Sequence, residues 1–247
     1  MKNYTASERT FFIVLVMLVI VSCLAIFLPQ GIYTPKKELP TSKINIAVFN
    51  AVAVIFVYGG LGLAGLRLSR KIGFTDMWES GINNKQRFLI PAVIGFALGA
   101  VFIVGDIIFG KFHGFGSLPH PPFPLSIAAS FTAGFGEEMI FRLFFVSFWV
   151  WLISGVFLKN RFQDEIFWGV SAVSAAFFAV SHFPVMMVLY DFKSISEIPQ
   201  ILMVEIILLN GLLSLFTAYY FRKYGYLAAV GIHFWADIVW HVLWGLK

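Results

Sequence analysis

Charge is what this chain has least of. Asp, Glu, Lys and Arg make up 13% of its 247 residues, about half the share found in soluble domains, and the mean hydropathy is +0.84. So little polar surface cannot cover a body of this size in water, which excludes an ordinary cytosolic enzyme. Cysteine is nearly absent as well. The single Cys23 lies inside an apolar run, so there is no disulfide framework and the redox compartment is unreadable. Composition also excludes disordered and collagen-like classes. No internal repeat occurs, and the only biased tract is the proline cluster between Pro119 and Pro124. Three familiar signatures are missing: the His-Glu-x-x-His zinc-protease motif, the Gly-x-Ser-x-Gly nucleophile turn and a glycine-rich phosphate loop.

What fills the chain instead is apolar: 59% hydrophobic residues, with 29 Phe. Seven stretches are long enough to span a bilayer, Thr10–Leu28, Ile44–Leu66, Phe88–Phe109, Phe123–Leu158, Ile166–Tyr190, Pro199–Phe221 and Gly225–Leu246. The expected fold class is therefore all-α, a polytopic integral membrane protein of seven or eight transmembrane helices enclosing a polar cavity. An eighth helix would come from the fourth or fifth stretch; the fourth is too long for one span, and the proline cluster before it is expected to form an interfacial turn or short surface helix. The first stretch follows Lys2 and Arg9 but lacks a small-residue cleavage site, so a retained span is expected rather than a signal peptide. The length leaves no room for a separate soluble domain.

The formal net charge of +5 invites a nucleic-acid partner. None is expected, because the basic residues sit at the ends of apolar runs, where they set topology. With the N-terminus inside, eleven Lys and Arg fall in inner loops and six in outer ones; Arg142 lies within a span. The expected orientation is N-terminus cytoplasmic, in the cell membrane if the source is prokaryotic.

Ionisable groups within spans are costly and mark function. Here they are Asp106, Glu137, Glu138, Arg142, His182, Glu205, His233, Asp237 and His241. Glu138 and Arg142 stand four apart on one helical face and are expected to pair. Glu137 points about 100° away and stays free for chemistry. A lone Glu–Arg pair would read as structural; the second, unpaired acid shifts the reading toward function. His182 closes Phe178-Ala179-Val180-Ser181-His182, and its neighbour Ser181 diverges too far to form a Ser–His dyad. His233 and Asp237 again share a face, an arrangement in which the acid can fix the tautomer of the imidazole. Two Glu, two His and one Asp from three helices suit an activated-water site. His241, with Trp240 and Trp244, is expected at the membrane interface, as is Asp106. Glu205 either snorkels to the surface or lines the cavity.

These motifs, Glu137-Glu138-Met139-Ile140-Phe141-Arg142, then Phe178 to His182, then His233-Phe234-Trp235-Ala236-Asp237, resemble those of the CPBP family of intramembrane proteases. That family includes the type II CAAX prenyl endopeptidases and the Abi-type bacteriocin-immunity proteins. The resemblance runs from about Phe123 to Leu246, so the whole chain, 1–247, reads as one membrane domain with 123–246 as its catalytic core. It implies that Glu137 and His182 activate water, that Glu138 and Arg142 brace the helix, and that His233 and Asp237 stabilise the oxyanion. Type II CAAX endopeptidases carry Asn at the last position. An ionised Asp237 cannot donate a hydrogen bond, so Asp237 is expected either to act as a protonated donor, the favoured reading, or to orient His233. The cofactor stays open between zinc and none, with Glu137, His182 and His233 as candidate metal ligands.

The expected activity is endopeptidase cleavage of a membrane-associated or lipidated protein or peptide, either the C-terminus of a prenylated CAAX-type protein or a hydrophobic peptide precursor. Two other classes compete: a non-catalytic immunity or binding protein, and a proton-coupled transporter.

Overall fold

A computed structural model describes residues 4–34 and 41–246. Lys2, Lys36, Lys37 and Lys247, which enter the charge count above, lie outside them. The structure is 80% helical and, among the described residues, has no strand. Seven helices are long and apolar enough to cross a membrane: α1 (Thr5–Ala25), α2 (Lys43–Lys71), α3 (Lys85–His113), α4 (Leu125–Phe157), α5 (Gln163–Tyr190), α6 (Gln200–Tyr224) and α7 (Tyr226–Trp244). Large apolar side chains point outward, Phe56 at 74% exposure among them. That is the surface of a body dissolved in hydrocarbon. The chain is an integral membrane protein.

The fourth stretch departs from expectation. It is one helix of 33 residues, and no eighth span occurs among the described residues. Three segments of α4, Ala133–Glu137, Met139–Val146 and Trp151–Phe157, bond i→i+5. These wider turns take more residues per unit length than a regular helix, and such turns gather at functional sites. The proline cluster ahead of α4 forms an irregular loop, not a surface helix.

The most enclosed span is α7, with 61% of its central window buried, against 17% for α1 and for α2. Small residues let it into the centre. A methyl carbon placed on Gly95 of α3 would lie 2.5 Å from the Ile232 carbonyl oxygen, and one on Gly99 would lie 2.5 Å from Val239 Cβ. Helices in lipid associate through such close backbone packing rather than through apolar burial. A single residue, Gly225, at φ 87°, turns α6 into α7.

The two ends of the bundle differ. At one end Arg87 donates to the carbonyls of Met77, Glu79 and Ile82, and Arg70 pairs with Asp76 and Glu8. At the other end the Tyr33 hydroxyl donates to the Pro119 carbonyl, 3.0 Å away, joining the loop after α1 to the proline cluster. Burial pushes the Tyr33 phenol up to about 12, so it remains a donor at any physiological pH.

Gly99→Val should lower the thermal unfolding temperature in detergent, with a loss of about 1–3 kcal/mol from overpacking. Gly169→Ala, where a new methyl meets nothing within 4 Å, should leave it unchanged. Equal unfolding temperatures for both variants would remove the α3–α7 contact as a determinant of the fold.

Candidate active site

The site starts from α4, which presents two adjacent carboxylates to different surroundings. Glu138 and Arg142 are both fully buried. Arg142 Nε lies 3.0 Å from Glu138 Oε2, and one terminal nitrogen donates to Glu138 Oε1 at 3.2 Å. The guanidinium also donates to Thr217 Oγ1 of α6 at 2.8 Å and to Ser174 Oγ of α5 at 3.2 Å. Three spans therefore meet on one cation, as the expected ion pair requires and beyond what its spacing could reveal.

Glu138 reaches a fourth span. His233 Nδ1 on α7 lies 2.9 Å from Glu138 Oε1. A carboxylate there places a proton on Nδ1 and turns Nε2 away. The sequence expectation gave the task of orienting His233 to Asp237, one option for that residue. Glu138 occupies the orienting position instead, because the wide turns of α4 bring it against α7. Asp237 Oδ2 faces the other nitrogen, Nε2, at 3.6 Å, and Glu137 Oε2 faces the same atom at 3.8 Å. Both separations exceed a good hydrogen bond and leave room for a bridging water. Glu137 Oε2 has no hydrogen-bond partner, and its side chain is about a third exposed, at 34%.

His182 is positioned by a break in α5. Pro184 has no N–H to give, so it sits in the first turn of a new helical segment after His182. The His182 amide bonds Ala179 instead of Phe178. The freed Phe178 carbonyl accepts from His182 Nδ1 at 2.8 Å. A carbonyl only accepts, so Nδ1 carries the proton and Nε2 carries the lone pair. The buried Phe178 ring stands edge-on to both histidines, at 5.0 Å from His182 and 5.6 Å from His233.

Glu137, His182, His233 and Asp237 all line one cavity of about 240 Å³. Glu138 and Arg142 do not; they lie behind it. The cavity extends to the bundle end that carries Tyr33, Pro119 and Pro121. The other in-span candidates face the protein interior. His241 lines the cavity, its Nδ1 3.3 Å from His120 Nδ1, and Trp240 is buried and lines the cavity too. Burial holds His120 below the ordinary histidine range, so one ring donates and the other accepts. Asp106 is fully buried and accepts the Leu118 amide of the loop before α4 at 2.7 Å. Glu205 is fully buried and lines the cavity, taking the second of its two options. His113 and His120 were not among the candidates, since His113 ends an apolar run and His120 lies within the proline cluster.

Among the described residues, no three of His, Cys, Asp or Glu stand close enough to hold a metal ion. Glu137, His182 and His233 as arranged do not fit a zinc cage.

The family model for type II CAAX prenyl endopeptidase Rce1-like proteins matches residues 119–239, a segment containing all three motifs. The match supports membership of this family of membrane-embedded proteases. Neither a curated protein nor a solved structure matches it.

Arg142→Ala should cost about 3–5 kcal/mol, because it strands Glu138 as a buried charge. The yield of extractable protein and its unfolding temperature in detergent measure this. Glu137→Gln, which keeps volume in a partly exposed position, should match wild type in both. Equal losses in the two variants would contradict the division of the pair.

Proposed function

We propose that the protein is an intramembrane endopeptidase in which Glu137 and His182 activate water while His233 and Asp237 stabilise the oxyanion. One observation carries this reading: both histidines have Nδ1 held by an acceptor while they and two carboxylates line the same cavity. Each imidazole thus keeps Nε2 for chemistry. Residues 123–246 form the proposed catalytic core.

The steps follow from the protons. Glu137 takes a proton from the water, and His182 Nε2 accepts a hydrogen bond from the same molecule, fixing its lone pair toward the carbonyl carbon. As the new C–O bond forms, charge gathers on the carbonyl oxygen. Donation from His233 Nε2, with Nδ1–H held by Glu138, requires protons on both nitrogens; Asp237 as a protonated acid supplies the second donor. The intermediate then collapses, the C–N bond breaks, and the proton first taken by Glu137 leaves on the amine.

The substrate we propose is a hydrophobic peptide segment, because Phe102, Val185, Met186, Ile206, Leu209 and Trp240 line the cavity beside its polar groups. A second substrate, the prenylated C-terminus of a CAAX-type protein, is favoured by an apolar groove of about 660 Å³ between α4 and α5, where Phe145, Trp149 and Phe177 would receive an isoprenoid. The N-terminus is proposed to be cytoplasmic, so the loops 26–42, 114–124 and 191–199 lie outside and the cavity lies toward them.

Five measurements test this. Wild type purified in detergent should cut at least one member of a panel of farnesylated CAAX and hydrophobic leader peptides, read by mass spectrometry. Glu137→Gln should lower turnover at least about 10²-fold, the contribution of a general base. Retention of the cellular phenotype in Glu137→Ala would instead support a binding protein. Asp237→Asn should match or exceed wild type at every pH, since an amide donates regardless of pH; a uniform loss would assign Asp237 an acceptor role. For topology, in a Cys23→Ala background, Ser194→Cys should react with an impermeant thiol reagent in intact cells and Ser80→Cys should not. The reverse pattern would invert the orientation.

A further inference from the structure

The cavity is short of positive charge. Three acids line it, Glu137, Glu205 and Asp237, the last protonated in the proposed chemistry; the His233 imidazolium of that chemistry is held by Glu138, and no Lys or Arg lines the cavity among the described residues. The nearby Arg142 is committed to Glu138. Glu205 is the acid that the proposed chemistry leaves unused. Its Oε2 lies 2.9 Å from His113 Nε2. His113 Nδ1 accepts the Phe115 amide at 3.2 Å, so its proton is on Nε2 and is donated to Glu205. A neutral imidazole satisfies that arrangement, and His113 supplies no compensating cation. The other oxygen, Oε1, is buried without any partner. A buried carboxylate oxygen without a partner is costly unless the acid takes up a proton or a cation meets it, and Glu205 belongs to the lining of a cavity through which a cation can come. A metal ion does not fit, for want of three grouped donors.

We propose that Glu205 is a specificity-determining residue whose free Oε1 receives a cationic group of the bound peptide, a Lys or Arg side chain or a free amino terminus. Position along the helices sets the register. Glu205 lies five residues into α6 and Glu137 twelve residues into α4, both counted from the same end of the bundle. At 1.5 Å per residue their depths differ by about 10 Å, or roughly three residues of extended peptide. The cation therefore sits about three residues from the bond cut. The same wall of acids disfavours a substrate whose free C-terminal carboxylate enters this end. The inference rests on the endopeptidase reading and divides its two substrates, favouring the peptide precursor.

The test uses the full-length Glu137→Gln protein in detergent, which holds peptide without cutting it. A labelled, N-acetylated apolar peptide is varied one position at a time among Lys, norleucine and Glu, with a matching set that has a free amino terminus. At one position, or at the free amino terminus, the cationic peptide should bind at least about tenfold more tightly than its neutral counterpart, with the Glu peptide weakest. Adding Glu205→Gln, which keeps an acceptor for His113, should abolish the preference. In wild type the preference should appear in KM rather than kcat. Equal binding of Lys and norleucine at every position, with no gain from a free amino terminus, would overturn the proposal. So would a preference that survives Glu205→Gln. Should that variant fail to fold, the Lys-to-norleucine ratio in Glu137→Gln alone decides. Absence of cleavage of any peptide by wild type would count against the endopeptidase reading, while the binding ratios still report on Glu205.

Discussion

A fully buried carboxylate is costly in a membrane protein unless its charge is answered, and the arrangement around Glu138 follows from that constraint. Its charge is answered by Arg142 at 3.0 Å, and the remaining donors of that guanidinium are answered by α5 and α6 through Ser174 and Thr217. The acid's other contact, His233, belongs to α7. Satisfying one ion pair therefore ties together the four spans that carry every residue of the proposed site. Isolated buried pairs are weak sources of stability because desolvation offsets attraction. Here the pair acts chiefly through geometry, as a fixed point against which other side chains are aimed.

The site is a surface laid over that fixed point. Glu137 neighbours Glu138 in sequence yet faces the cavity, and the two imidazoles present Nε2 because backbone or carboxylate holds Nδ1. Phe178 separates the rings and lies 5.3 Å from the Arg142 guanidinium, so the position before the Ala179-Val180-Ser181-His182 run is a spacer between the two histidines. The cavity lining holds acids and imidazoles but no Lys or Arg among the described residues, which sets the site apart from the Glu138–Arg142 pair behind it. Local satisfaction gives way at functional positions and is restored around them. Glu137 Oε2 and Glu205 Oε1, carboxylate oxygens buried without a hydrogen-bond partner on two residues of the cavity lining, mark where it gives way.

Much of this was legible in the residues. Apolar length named all seven spans, and the four-residue spacing of Glu138 and Arg142 predicted their pairing. What escaped depends on contacts between helices. Nothing local says that Glu138, rather than Asp237, holds His233, because that bond joins residues 95 positions apart. The partners of Asp106, Glu205 and His241 escaped for a related reason. Depth along a span can be counted from sequence, but the direction a side chain faces depends on which neighbour packs there. Regular helical geometry also misread α4, whose wide turns fit 33 residues into one span.

If Glu138 holds both the fold and the proposed chemistry, the two roles should separate when the charges are removed together. The double variant Glu138→Met/Arg142→Met replaces the pair with apolar side chains and leaves no buried charge, a change that is often neutral for stability. It also leaves His233 Nδ1 without its carboxylate. The measurement is cleavage rate beside unfolding temperature in detergent. We expect a folded protein with an unfolding temperature near that of wild type and cleavage lowered about 10–100-fold, the usual cost of losing an orienting partner. Wild-type turnover in a folded double variant would contradict the account, because His233 would then need nothing from Glu138.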